Sequence, residues 1–183
     1  MASASGEGTP NLSDIERRLQ SLEDQLAIHR IIMTHPPAAD SGEGGFWHVI
    51  FGEGGRTDYG QDASLGDLAG IVTPEQLAAW TASPRFREAQ RSGLAHVSTA
   101  PVVVIAGDEA EAWNYHQTIV RTDDGFRVLR LFVNHWQFAR SAQGWQLTMR
   151  KCRLMDGDEE ALDILRDAVA ASSALLGSAD GPR

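Results

Sequence analysis

Apolar residues return at spacings of three, four and seven through Ile15, Leu19, Leu22, Leu26 and Met33, the repeat of an amphipathic α-helix. Ser13 and Glu16 stand at capping-box spacing at its start. Its end is predicted near Thr34, because Pro36 disfavours helical geometry at His35 and neither Pro36 nor Pro37 has an N–H to donate. The next stretch is rich in glycine, broken by the apolar island "GFWHVIF" and by "RTDYG", which reads as a short strand. "TPEQLAAW" and "SPRFREAQ" each set a hydroxyl residue before proline, the N-cap and N1 of two short helices.

After Gly93 the pattern turns to β-branched and aromatic runs. "LAHVSTAPVVVIAGD", "EAEAWNYHQTIVR", "FRVLRLFVNHWQFAR" and "GWQLTMRKCRLM" are separated by "GD", "TDDG" and "SAQG", the turns of antiparallel hairpins. Four long strands in a meander are expected, then a helix from about Asp158 to Leu176 with Leu162, Leu165, Val169 and Leu176 near one face. Helices followed by a long sheet predict an α+β fold in which a strongly curved antiparallel sheet wraps the N-terminal helices into a cone-shaped barrel. The small polar ends predict tails over residues 1–12 and 177–183 around a single domain, residues 13–176.

The composition narrows the function. With 183 residues the chain makes one core. A net charge of −9 disfavours tracking a phosphate backbone, so nucleic acid is not expected as a partner. No apolar run is long enough for a membrane span and no basic start leads into one, so a cytoplasmic protein is expected. The single cysteine, Cys152, forms no internal disulfide and suits a reducing compartment. The six histidines lack the short spacings that supply two metal ligands from one element, so neither a metal nor another cofactor is expected.

Three strings, "LAIHRIIMTHPPAAD", "LAHVSTAPVVVIAGDEAEAW" and "FARSAQGWQLTMRK", resemble the SnoaL-like branch of the nuclear transport factor 2-like superfamily. That superfamily also holds ketosteroid isomerases, scytalone dehydratase and hexachlorocyclohexane dehydrochlorinase. The resemblance implies a cone-shaped pocket with an Asp after the first helix and a His early in the first long strand, here Asp40 and His96. It also implies a polar helper five residues before the Asp, here His35, and an arginine after the Gly-Trp turn of the last strand, here Arg150. The two prolines between His35 and Asp40 depart from the family pattern.

Such a pair suits proton abstraction. A neutral imidazole is a base near pH 7, and a carboxylate on one ring nitrogen fixes the tautomer that leaves the other free. A departing group or oxyanion needs a donor, for which His35, Arg150, Asn134 and Tyr59 are candidates. Phe132, Asn134 and Trp136 share one strand face and, if inward, contact substrate together with Trp47 and Tyr59; His116 and His135 read as structural or solvent-facing.

The implied activity is a cofactor-independent lyase acting on a small hydrophobic cyclic or aromatic substrate by dehydration, dehydrohalogenation or aldehyde loss. His96 is the base, oriented by Asp40. An isomerase or cyclase using the same dyad is the alternative within enzymes. A ligand-binding module or dioxygenase small subunit is the alternative outside them, since a fold of this type serves both. The convex sheet face and last helix predict a homo-oligomer, and the resemblance implies a trimer or dimer.

Overall fold

The computed structural model describes residues 11–61 and 63–177. Most of both expected tails lies outside these residues, but Leu12 and Gly177 are the end residues of helices. Helix α1 runs over Leu12–Ser41, and its N-cap is Asn11 in place of Ser13: the Asn11 Oδ1 accepts the Asp14 N–H at 2.9 Å. It does not stop at Thr34. Pro36 and Pro37 lie inside it, and it ends at Gly42, whose φ of 78° allows the N–H to reach back to the Ala38 and Ala39 carbonyls. Each interior proline costs about 3 kcal/mol in an isolated helix. Here Ile32, His35, Pro36, Ala38 and Ala39 are all buried, and that tertiary packing holds the last turns in place.

The apolar island forms helix α2, Gly45–Ile50, which leads into strand β1, Phe51–Asp58. A 3-10 turn and the short β2, Ile71–Val72, precede α3, Pro74–Thr81, and α4, Pro84–Arg91. These helices begin as expected, capped by Thr73 and Ser83. The first predicted long strand is two, β3 over Leu94–Ser98 and β4 over Val102–Ala106, because Pro101 cannot donate to the ladder. Thr99 bridges the break: its carbonyl accepts from Asn114 and its Oγ1 accepts the Tyr115 N–H. Then come β5, Glu109–Thr122, β6, Gly125–Ser141, and β7, Gly144–Leu154.

The strands form one curved, unclosed sheet in the order β2-β1-β7-β6-β5-β3, with β4 also on β5. Pairing is antiparallel except where β1 lies parallel to β7. Gly55 sits at that junction, where a Cβ would come within 2.7 Å of the Leu147 carbonyl. The concave face packs against α1, α2 and α3 through Ile28, Ile32, Trp47, Trp136, Phe138 and Leu147. The outer face packs through Trp113 and Val133 against Ala161 and Ile164 of helix α5, Glu159–Gly177. Of the predicted face, Leu165 packs against this cluster and Leu162 is half-buried, but Val169 and Leu176 are exposed. The predicted stripe of α1 is likewise exposed, and the helix seats on the sheet through Asp24, Ile28, Ile32 and His35. No helix among the described residues is long and apolar enough to cross a membrane.

Candidate active site

Extending α1 past its prolines carries Asp40 to the edge strand β3. One carboxylate oxygen accepts the His96 backbone N–H at 2.8 Å, and the other lies 2.6 Å from His96 Nδ1. An ionised carboxylate only accepts, so the ring proton sits on Nδ1 and the Nε2 lone pair is free. Among the described residues nothing hydrogen-bonds Nε2. The ring is held between two others, stacked on Phe86 of α4 at 6.4 Å and on His116 of β5 at 5.2 Å between centroids.

Across the same cavity lies Arg150 of β7, only 2% exposed. Its Nε donates to Asn134 Oδ1 at 3.1 Å and its Nη1 donates to His35 Nε2 at 2.8 Å. Tyr59 Oη and Cys152 Sγ lie farther off, at 3.5 and 3.8 Å, and the guanidinium sits 4.6 Å above the Trp136 ring. All these partners are uncharged. Burial pushes the His35 imidazole well below its ordinary range, reinforced by the Arg150 charge, so it stays neutral and accepts. Burial likewise raises the Tyr59 phenol and keeps its proton on. Arg150 is therefore a buried cation with no counter-ion among the described residues.

Of the predicted residues, His96, His35, Arg150, Tyr59, Trp47 and Phe132 line one cavity of about 270 Å³. Asp40 stands behind His96. Asn134 and Trp136 face inward as expected but lie behind Arg150, both bonded to Asn114 Oδ1, and are not on the cavity wall. The rest of the wall is mostly apolar, with Leu65, Leu68, Leu77, Trp80, Phe86 and Leu129 on it, but Thr81, Arg85, Thr118 and Arg130 also line it.

His116 was read as structural or solvent-facing from the sequence, and it is on the wall. Its Nδ1 lies 2.8 Å from Ser98 Oγ, and burial, then the Arg150 charge, hold it well below its ordinary value. It is a neutral imidazole stacked beside His96. His135, on the outer face, bonds Glu111 and stacks on Trp113.

Residues 20–151 match the SnoaL-like domain. An NTF2-like protein with a cystatin-like fold from Novosphingobium aromaticivorans is similar at 26% identity and a TM-score of 0.77, over 86% of this chain and 99% of that one. Hexachlorocyclohexane dehydrochlorinase LinA-type3 from Novosphingobium barchaimii LL02 shares the fold at 13% identity and a TM-score of 0.60, over 75% and 90%. So does a beta subunit assigned to an aromatic-ring-hydroxylating dioxygenase of N. aromaticivorans, at 15% and 0.54, over 73% and 90%. No curated protein matches in sequence. With that match over most of its length, and an Asp and His pair inside a cone of helices and curved sheet, the chain belongs to the SnoaL-like domain family.

Proposed function

We propose that the protein is a cofactor-independent lyase that removes a leaving group from a small hydrophobic cyclic or aromatic substrate. The observation that carries this reading is the pairing of a carboxylate-oriented imidazole with an arginine that has no counter-ion among the described residues, on one mostly apolar cavity. His96 Nε2 takes a proton from carbon, the C–H electron pair becomes the new double bond, and the leaving group departs with its own pair toward Arg150. Asp40 holds the tautomer and stabilises the imidazolium. A buried cation whose partners are all neutral has its field available for the departing anion, where preorganised donors are most effective. A cavity of about 270 Å³ suits one substituted ring, since about 150 Å³ already admits benzene.

The test is a panel of monocyclic compounds bearing a hydroxyl, halide or hydroxymethyl group next to an acidic C–H, read by product mass. Loss of water or hydrogen halide by the wild type is expected, or of formaldehyde where His96 takes the hydroxyl proton instead and returns it to the carbon as the C–C bond breaks, each reduced about 10²- to 10⁴-fold in His96→Gln and Asp40→Asn. A rearranged product of unchanged mass in ordinary water, one mass unit heavier when formed in deuterium oxide, would assign an isomerase using the same base. Turnover that survives His96→Gln would sink the base assignment.

A further inference from the structure

The first three turns of α1 project from the body: from Leu12 to Glu23 every residue but Asp14 is exposed. A helix of about a dozen residues is marginal in water without packing. Yet Leu12, Ile15, Leu19, Leu22, Leu26 and Met33 leave 71, 47, 53, 58, 61 and 43% of their surfaces to solvent. With His29, they follow one another at alternating steps of three and four, so Leu12, Leu19, Leu26 and Met33 are heptad a positions and Ile15, Leu22 and His29 are d positions. The residues that seat α1 on the sheet, Asp24, Ile28, Ile32 and His35, fall at f, c, g and c, off this seam.

We infer that this seam pairs with the same segment of a second copy of the chain in a parallel, in-register coiled coil. The flanking charges select the occupant and its direction. Arg18 is a g position and Glu23 the e position five residues on, so a parallel pairing sets Arg18 against Glu23 of the other copy twice. Neither side chain has an ion pair within the described part of its own chain. Every antiparallel register that seats leucine on leucine brings two glutamates together: Glu23 meets Glu16 or its own copy, or Glu16 meets its own copy. The assembly uses neither the cavity nor its lining, so it is independent of the proposed activity.

Light scattering of the full chain is expected to give a multiple of 19.9 kDa that falls to the monomer in Leu19→Glu/Leu22→Glu with circular dichroism of the body retained. Under oxidation Leu22→Cys is expected to cross-link to itself, because in-register pairing sets identical d positions side by side. Gln20→Cys, on the opposite side of the helix, is expected not to; the native Cys152 is buried and does not compete. Arg18→Glu weakens association, and adding Glu23→Arg restores it. A wild type that is monomeric at tens of micromolar overturns the inference. So does an oligomer indifferent to Leu19→Glu/Leu22→Glu, cross-linking only between Leu19→Cys and Leu22→Cys chains, or a monomer that cosediments with anionic phospholipid vesicles through this seam.

Discussion

Two arginines on neighbouring strands lie over tryptophans in mirrored fashion. Arg140 of β6 lies 4.4 Å over Trp145 of β7, and Arg150 of β7 lies 4.6 Å over Trp136 of β6. Each meets a residue of α1, and the two residues, Asp24 and His35, stand three helical turns apart on one face. The difference is the charge of that partner. Asp24 takes Arg140 in a two-pronged bond at 2.8 and 2.7 Å, and Trp145 donates to the same carboxylate. His35 offers Arg150 one neutral nitrogen. The same helix thus closes one arginine with a counter-charge and leaves the other electrostatically open, and only the open one lines the cavity. Pairing marks the first as a fastening between helix and sheet, and its absence is what the proposed receptor role of the second rests on.

The strongest way to break this contrast is to replace each arginine with methionine. Arg140→Met strands a mostly buried carboxylate and is expected to cost about 3 kcal/mol in urea unfolding while sparing turnover. Arg150→Met is expected to leave stability within about 1 kcal/mol, because relief of a desolvated charge offsets the acceptors left on His35 and Asn134. Turnover should then fall about 10²- to 10³-fold. A readout independent of substrate is available: bromide or formate should raise the Tm of the wild type and not of Arg150→Met. Equal stability losses in the two variants would show that Arg150 is a fastening as well.

Acid separates the same two partners. His35 and His116 are held neutral by burial, so below about pH 6.5 the unfolded chain takes up protons that the folded one refuses. Stability should decline from there by about 1.4 kcal/mol per pH unit for each histidine until its own folded pKa is reached. Asp24 acts lower. Its bond to Arg140 brings it from 3.8 to about 2 against the opposing effect of burial, so the stability it adds is full above the unfolded value and is lost as pH falls through that interval. Unfolding curves between pH 7.5 and 2 should therefore show an upper slope reduced by His35→Gln and a lower one removed by Asp24→Asn. A flat response between pH 6.5 and 5 would mean that the imidazoles do not stay neutral.

How legible these features were depends on whether a local rule or a distant contact decided them. Thr73 and Ser83 before proline start helices as local chemistry dictates. Asp40 and His96 are placed by resemblance, and their bond joins residues 56 positions apart along the chain. His116 escaped for a countable reason. Pairing back from the Thr122 and Gly125 turn sets His116 opposite Leu131, on the outer face if Phe132 points in. The extra residue at Leu129, where the register shifts, sets it opposite Phe132 and turns it inward. Such a bulge leaves no mark in composition. The α1 stripe was visible as a period but not as a direction, since periodicity says which residues share a face and not which partner covers it.

The prolines carry the smallest expected effect and the sharpest question about the open arginine's surroundings. Pro36 is buried, but Pro37 is exposed, and its missing N–H leaves the Met33 carbonyl without its helical donor. Pro37→Ala restores that donor and removes the ring's crowding of the preceding turn, so the chain should become more stable by about 1 kcal/mol. If the residues between His35 and Asp40 are held by tertiary packing alone, turnover should be unchanged, because Ala38, Ala39 and Gly42 still fix the last turn. If turnover falls while stability rises, the proline's rigidity is itself setting the distance from Asp40 to His96. The two prolines inside α1 would then be a means of tightening the dyad.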